Sequence, residues 1–196
     1  DLYVAEVNKI WLFKDVEDNL KKYDEVGFYP EDPILISDEF PSDKHHGWKY
    51  ISVGPDNKLY VPVGAPCNIC ESRDEIYSTI TRMDLDGSNR EIFARGVRNT
   101  VGFTWHPETG EMWFTDNGRD MLGDNYPPCE LNRISKPNEH YGYPYCHGGN
   151  ISDPEFGSKY PCDDFIKPVQ NLGPHVAPLG VKSVSYTHLT LPTIHR

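Results

Sequence analysis

Apolar residues of this chain occur in short runs that are separated by clusters of Pro, Gly, Asp and Asn. The clearest pair of runs covers residues 101–105 and 111–115, and the turn between them at residues 106–110 contains Pro107 and Gly110. Pro presets φ for a turn, and Gly adopts the left-handed conformation at its end. This pattern predicts an antiparallel hairpin.

Polar residues flank this predicted hairpin on both sides. Arg98 and Asn99 precede its first strand, and the sequence Asp-Asn-Gly-Arg at residues 116–119 follows its second strand. The two ends of an antiparallel hairpin lie next to each other, so we expect both clusters to lie side by side. Binding and catalytic residues are often carried by loops that a rigid sheet positions. The sequence therefore predicts a functional site at this end of the hairpin.

The hairpin pattern recurs along the chain. Residues 50–53 and 59–63 repeat it, and residues 1–4 resemble the second strand of a still earlier copy. Further strands are predicted at residues 8–13, 34–36, 80–85, 90–93 and 130–134. Units of four short strands with a period of roughly 40–55 residues are typical of a β-propeller. We therefore predict an all-β fold with about three propeller blades.

Two predictions concern the chain after the third unit. Residues 146–172 are rich in Gly, Pro and Asp, which favours an extended excursion on the surface. Residues 173–180 are then predicted to begin the innermost strand of the next blade.

Composition limits the classes of partner. The net charge is −11 and the mean hydropathy is −0.62. An acidic chain without a basic stripe argues against nucleic-acid binding. No apolar run approaches the length of a membrane span, and no signal-peptide pattern opens the chain. The chain starts at Asp1 within a predicted strand, so we expect sequence ahead of it to be missing.

Five cysteines could form disulfides or bind a metal: Cys67, Cys70, Cys129, Cys146 and Cys162. A disulfide between Cys146 and Cys162 is favoured because the pair brackets a polar loop. Covalent haem attachment would need His where Glu71 follows the Cys-x-x-Cys sequence, and zinc would need a second such pair. Cys67 and Cys70 are therefore interpreted as a loop-closing pair or as two partly buried thiols. Disulfides would indicate an exported protein.

The last residues depart from the propeller rhythm. From about Val184 onward, the sequence reads like the in-frame translation of a sequencing-library adapter, although a native strand is the alternative. We therefore assign residues 1–183 to an incomplete propeller and residues 184–196 to an adapter-derived tail.

Four stretches carry a resemblance to a known family: HHGWKYISVGPDNKLYVPVGAPCNIC, RGVRNTVGFTWHPETGEMWFTDNGRDMLGDNYPPCELNRI, HYGYPYCHGG and LGPHVAPLG. By their order and spacing, residues 40–180 resemble about half of a glucose/sorbosone dehydrogenase domain, closest to the sorbosone-dehydrogenase-like branch. The resemblance implies a soluble six-bladed propeller that uses pyrroloquinoline quinone (PQQ) and calcium. It also implies oxidation of a sugar hydroxyl, hemiacetal or aldehyde by hydride transfer to the quinone, an external electron acceptor, and a periplasmic or secreted location.

The resemblance also assigns candidate residues to the cofactor. His46 matches the base that removes the hydroxyl proton, with His45 as the alternative, and a His suits this role because its pKa lies near working pH. Arg98 and Asn99 match an Arg-Asn pair, and a guanidinium can bind quinone oxygens and the PQQ carboxylates. Asn117 matches a polar residue that faces the cofactor.

Calcium ligands are implied at two places. The backbone carbonyls of Gly118 and Arg119 match ligands of the PQQ-bound calcium, and hard cations take such oxygen ligands. Glu130, through its carboxylate, and Tyr141, through its carbonyl, match a second, structural calcium site. The alternative is that the acidic residues of this region only solvate a loop.

Two other functions remain open at this point. One is a calcium-dependent, lactonase-like propeller hydrolase, and the other is a propeller that binds a ligand without catalysis, since a fold alone does not define a function. In the family, PQQ is also held by Lys and Arg residues of later blades. We therefore expect residues 1–196 to be inactive or prone to aggregation by themselves.

Overall fold

The computed structural model describes residues 1–21 and 32–184. Within these residues the fold is β-rich, with one short helix, α1 (Val16–Lys21), and one 3-10 turn at Cys162–Asp164. The predicted tail at residues 184–196 lies outside the described residues apart from Val184. The strands are, in chain order, β1 (Leu2–Ala5), β2 (Ile10–Phe13), β3 (Ile34–Ser37), β4 (Ser52–Val53), β5 (Leu59–Val63), β6 (Thr79–Met83), β7 (Glu91–Arg95), β8 (Phe103–Trp105), β9 (Met112–Asp116), β10 (Pro128–Ile134), β11 (Glu139–His140), β12 (Cys146–His147), β13 (Ile151–Ser152) and β14 (Gln170–Pro174).

Three antiparallel sheets follow one another along the chain. The first has the order β1-β2-β3, the second β4-β5-β6-β7 with β11 added at its outer edge, and the third β8-β9-β10-β14. Consecutive strands are neighbours in each sheet, as in the blades of a propeller. The predicted all-β fold with about three blades is therefore confirmed.

Two layers of buried side chains join the three sheets. Between the first and second sheets, Ile10 packs in one cluster with Val61 and Met83. Between the second and third sheets, Tyr60 packs in another cluster with Phe103 and Phe114. Every residue of β5 is buried, because the second sheet is covered on both faces. The second of these layers holds the second and third sheets against each other, and the candidate site lies between these two sheets.

The central hairpin forms as predicted, in a shorter form. β8 pairs with β9, so that Phe103 lies opposite Phe114 and Trp105 opposite Met112. β8 begins at Phe103, and the chain at Gly180 crosses directly over the preceding Gly102. A Cβ atom at Gly102 would lie 2.5 Å from the Gly180 Cα atom, so this crossing requires glycine.

Both predictions for the chain after residue 145 need correction. Residues 170–174 do not belong to a surface excursion, because they form β14 and complete the third sheet against β10. Residues 175–180 do not open a further strand. His175 and Ala177 have positive φ angles of 55° and 45°, and this left-handed backbone interrupts an extended run.

The insert at residues 135–169 lies between β10 and β14. It carries β11, which pairs in parallel with β7, and the small hairpin β12-β13. The predicted disulfide between Cys146 and Cys162 is present. Cys67 and Cys70 also form a disulfide. Of the two interpretations of this pair, the loop-closing pair is therefore correct. In the part of the chain that the structure describes, no helix is long and apolar enough to cross a membrane.

Candidate functional site

The two polar clusters that flank the central hairpin do lie together. Asp116 ends β9 and is buried. Its Oδ2 atom accepts a hydrogen bond of 2.8 Å from the backbone N–H of Arg98, and its Oδ1 atom accepts one of 2.6 Å from that of Asn99. The Asn117 backbone N–H donates to the Asn99 carbonyl at 3.2 Å. One carboxylate therefore ties the entry of the hairpin to its exit.

Arg98 is buried, and amide oxygens hold its guanidinium. The residue is only 5% exposed. Nε donates to the Asn68 carbonyl and Nη2 to Asn68 Oδ1, both at 2.9 Å, and Nη1 donates to the Asn117 carbonyl at 3.1 Å. Asn68 was not among the residues that the sequence singled out. It lies in the loop between Cys67 and Cys70, about thirty residues away along the chain.

One cavity of about 250 Å³ brings the predicted cofactor residues together. All of the residues assigned to the cofactor line its wall: His46, Arg98, Asn99, Asn117, Gly118 and Arg119. Asp120, Pro127, Cys129, His175 and Ala177 complete the lining. The loops that enter and leave the second sheet form one part of the cavity wall, and the two ends of the central hairpin of the third sheet form another. The cavity therefore lies at the junction of two sheets.

Of the two candidate bases, His46 lines the cavity and His45 does not. His46 Nδ1 lies 2.9 Å from the Ala65 carbonyl, so Nδ1–H donates this bond and leaves Nε2 as the acceptor. Burial, and then the charge of Arg98, lower the pKa of His46 to about 4. The ring is thus neutral at neutral pH and can accept a proton. His45 is exposed and is not part of the cavity wall.

A close backbone approach places His46 next to Arg98. The exit of β5 continues into Gly64, where a Cβ atom would lie 2.5 Å from the His46 Cβ atom and 3.3 Å from the Arg98 carbonyl. The Ala65 backbone N–H donates to this Arg98 carbonyl at 2.8 Å. Gly64 and Ala65 therefore link the loop that carries His46, at the entry of the second sheet, to the entry of the hairpin in the third sheet. The sequence contains Gly64, but no local pattern indicates this role.

The side chain of Arg119 is directed into the insert. Nη1 binds Asp153 Oδ2 at 2.7 Å, and Nη2 binds Glu155 Oε1 at 3.1 Å. His147 Nε2 lies 2.9 Å from the same Asp153 oxygen. The side chains of Arg119 and Asp153 are 4% and 0% exposed. This buried ion pair anchors the Gly118–Arg119 backbone beside the cavity, so the Arg119 side chain has a structural contact of its own.

Glu130 and Tyr141 line a second, small enclosed cavity behind the first, of about 10 Å³. Asp116, Asn117 and Gly118 also line it. Burial raises the pKa of Asp116 to about 6, and burial together with the negative charge of Asp116 raises the pKa of Glu130 to about 7.

These two carboxyl groups fit a cation. Asp116 and Glu130 are direct cross-strand partners, and two buried carboxylates side by side are stabilised by a positive charge between them. The described residues contain no group of three or more His, Cys, Asp or Glu side chains that could hold a metal ion. A calcium ion here would need carbonyl or amide oxygens as further ligands, and calcium accepts such ligands. The assignment of Glu130 and Tyr141 to calcium remains a prediction.

Replacing Glu130 by Gln tests this assignment. In the complete protein, called the parent here, we expect calcium to raise the melting temperature by about 3–5 °C at roughly 100 times its dissociation constant, and to leave that of the variant unchanged. The measurement is calorimetry with calcium and with a chelator, at pH 8. The exposed Glu108→Gln serves as the control and should behave like the parent. Equal calcium responses of parent and Glu130→Gln would contradict the assignment.

The pH dependence of this variant provides a second check. The pKa of Glu130 is raised to about 7 in the folded protein. Between the ordinary pKa of a glutamate and pH 7, the folded, metal-free protein therefore binds more protons than the unfolded chain. Its stability therefore falls as pH rises through this window. Glu130→Gln removes this fall, so without calcium its stability relative to the parent should increase from pH 5 to pH 8.

Comparisons with known proteins identify the family of this chain and agree with its fold. The family described as Glucose / Sorbosone dehydrogenase matches residues 31–193, and the chain belongs to this family. An uncharacterised protein of Borreliella burgdorferi is 36% identical over 186 residues, which cover 92% of this chain and 48% of that protein. The family assignment made from the sequence is confirmed.

Solved structures share the fold. The holo form of the pyranose dehydrogenase PQQ domain of Coprinopsis cinerea has a TM-score of 0.72 at 18% identity, covering 92% of this chain and 53% of that one. The PQQ-bound aldose sugar dehydrogenase of Streptomyces coelicolor has a TM-score of 0.59 at 23% identity, covering 87% and 48%. This chain thus spans about half the length of the proteins that it matches.

Proposed function

We propose that the complete protein is a PQQ-dependent oxidoreductase that oxidises a sugar hydroxyl, hemiacetal or aldehyde. Membership of the glucose/sorbosone dehydrogenase family supports this class of enzyme. The observation that carries the proposal is that neutral His46 and cationic Arg98 line one cavity. When bound, PQQ with its calcium would supply the acceptor for a hydride from the substrate carbon. An external electron acceptor is proposed as the second partner of the reaction.

His46 is proposed as the general base. Its Nδ1–H is engaged by the Ala65 carbonyl, which fixes the tautomer and presents Nε2 for the hydroxyl proton of the substrate. A neutral imidazole can accept this proton, whereas an imidazolium cannot. A positioned base of this kind contributes about 10²- to 10⁴-fold to a rate.

Arg98 is proposed to bind an anionic or quinone oxygen. A guanidinium has five N–H donors in a fixed plane, and amide oxygens of Asn68 and Asn117 take three of them. Asp120 Oδ2 approaches Nη2 only to 3.6 Å. The hydrogen bonds that orient the guanidinium thus go to neutral acceptors, and Asp120 is its longer-range ion-pair partner, so the guanidinium can still bind an anionic group of the cofactor.

The backbone of Gly118 and Arg119 is proposed to hold the calcium that accompanies PQQ, and Asn117 and Asn99 to face the cofactor. The Asn117 side-chain amide donates to the Asn99 carbonyl at 3.0 Å and so joins the two walls of the hairpin end. The anchor of Arg119 on Asp153 keeps this backbone in place.

An exported, periplasmic or secreted location is part of the proposal. The chain contains two disulfides, Cys67–Cys70 and Cys146–Cys162, and stable disulfides are typical of oxidising compartments. A calcium-dependent lactonase would need several carboxylates around one ion, whereas His46, Arg98 and Asn99 line this cavity and suit a quinone better. We therefore pursue the oxidoreductase.

A titration with PQQ tests the proposal on the protein expressed from its complete gene. We expect saturable binding in the presence of calcium, seen as a change in PQQ absorbance, and oxidation of an aldose with an artificial electron acceptor. Arg98→Ala should weaken PQQ binding by about 10- to 100-fold, because a charge-assisted hydrogen bond contributes about 1.5–3 kcal/mol. The control is Arg133→Ala, whose side chain is 46% exposed and lies outside the cavity. Unchanged binding by Arg98→Ala would overturn this role.

A further inference from the structure

Asn68 is the shared partner of two segments that line the candidate site. Its carbonyl and its Oδ1 atom accept hydrogen bonds from Nε and Nη2 of Arg98, both at 2.9 Å. The same Oδ1 atom accepts the backbone N–H of Asp120 at 2.8 Å, and Nδ2 donates to the Asp120 carbonyl at 3.0 Å. One amide thus holds both the guanidinium and the chain that follows Arg119.

A short covalent ring holds Asn68 in place. The Cys67–Cys70 disulfide closes the loop around it, with a sequence separation of three residues. The Tyr143 hydroxyl lies inside this loop, where it accepts the Cys70 backbone N–H at 3.2 Å and donates to the Asn68 carbonyl at 3.4 Å. A disulfide reduces the conformational freedom of the loop that it closes. The loop is therefore restrained at the position from which it contacts Arg98.

We infer that the disulfide-closed loop at residues 67–70 is a positioning element of the cofactor site and that Asn68 is its positioning residue. Asn68 orients the Arg98 guanidinium at the cavity wall and, as a neutral amide, adds no negative charge to that of Asp120, whose Oδ2 atom lies 3.6 Å from Nη2. A carboxylate at the same place would orient Arg98 equally well but would cancel the positive charge of Arg98. The inference rests on the proposed function in that PQQ is the ligand of Arg98.

A double-mutant cycle tests whether Asn68 acts through Arg98. In the complete protein with calcium, we expect Asn68→Ala to raise the PQQ dissociation constant about tenfold, as the loss of one hydrogen bond to a charged group predicts. In the Arg98→Ala background, the same change should have a clearly smaller effect, because only the contacts of Asn68 with the Asp120 backbone are then lost. Asn150→Ala is the control, because Asn150 is exposed and distant from this cavity. Equal weakening by Asn68→Ala in both backgrounds, or none in either, overturns the inference.

The double variant Cys67→Ser/Cys70→Ser provides an independent route. It keeps Asn68 but opens the ring, so it should also weaken PQQ binding in the parent and have a clearly smaller effect beside Arg98→Ala. If Asn68→Ala proves too unstable to purify, this variant decides the question. PQQ binding as tight as that of the parent would show that the ring has no positioning role.

A measurement without PQQ separates this inference from the proposed function. The Nη2–H protons of Arg98, assigned in ¹⁵N NMR spectra with the help of Arg98→Lys, should exchange slowly with solvent in the parent and faster in Asn68→Ala, because this variant removes their acceptor Oδ1. Failure of the parent to bind PQQ would remove the proposed function, while this exchange rate would still decide the positioning role. An exchange rate that is the same in parent and Asn68→Ala overturns the inference.

Discussion

Replacing His46 by Gln is expected to lower the turnover of the reconstituted, complete protein by about 10²- to 10⁴-fold, because the proposed general base is lost. Affinity for PQQ should change little, since the amide of Gln is also neutral and polar. The measurement is steady-state oxidation of an aldose with an artificial electron acceptor, beside a PQQ titration. The matched control is His45→Gln, because His45 is exposed and adjoins His46 at a ring distance of 4.1 Å.

The pH profile provides a second test of His46. Its pKa is lowered to about 4, so the ring is deprotonated across the neutral range. If His46 is the base, turnover should persist as the pH falls from 7 to 5 and should decline only near pH 4. A loss of turnover in His45→Gln with retention in His46→Gln would reverse the assignment.

Replacing Asp153 by Ala is expected to destabilise the protein by about 3–5 kcal/mol, because Arg119 would lose its buried partner and keep only the more exposed Glu155. The two side chains are 0% and 4% exposed, and their ion pair spans 2.7 Å. For a complete protein of about twice the length of this chain, the melting temperature should fall by roughly 3–10 °C. Calorimetry of the complete protein measures this effect.

Asp163→Ala is the matched control for Asp153→Ala. Asp163 lies in the same insert and pairs with Lys167, but its side chain is 87% exposed. Exposed ion pairs contribute about 0–1 kcal/mol, so this variant should melt close to the parent. Equal melting temperatures for Asp153→Ala and Asp163→Ala would contradict an anchoring role for the buried pair.

Local patterns were sufficient to predict the main elements of the fold. The strands at residues 59–63 and 111–115 could be recognised because apolar runs and Pro-Gly turns are encoded by neighbouring residues. The juxtaposition of Arg98 with residues 116–119 followed from the geometry of a hairpin alone. The last strand was placed wrongly because β14 is defined by its pairing with β10, across the whole insert.

The candidate site was predictable only in part, for a related reason. His46 and Arg98 could be named from the family resemblance, and the structure places both at one cavity. Asn68 and Asp153 could not, because each acts on a residue about thirty positions away along the chain. A hydrogen bond across such a separation leaves no periodic signal in the sequence.

The position of Arg98 between two sheets has a consequence for protein engineering. The guanidinium belongs to one repeat, whereas the amide and the disulfide that hold it belong to the repeat before. Exchanging a single repeat for that of a relative would therefore separate a cation from its support, even if the new sheet folded well. Chimeras of this protein should take both repeats from the same parent sequence, with the crossover points outside them.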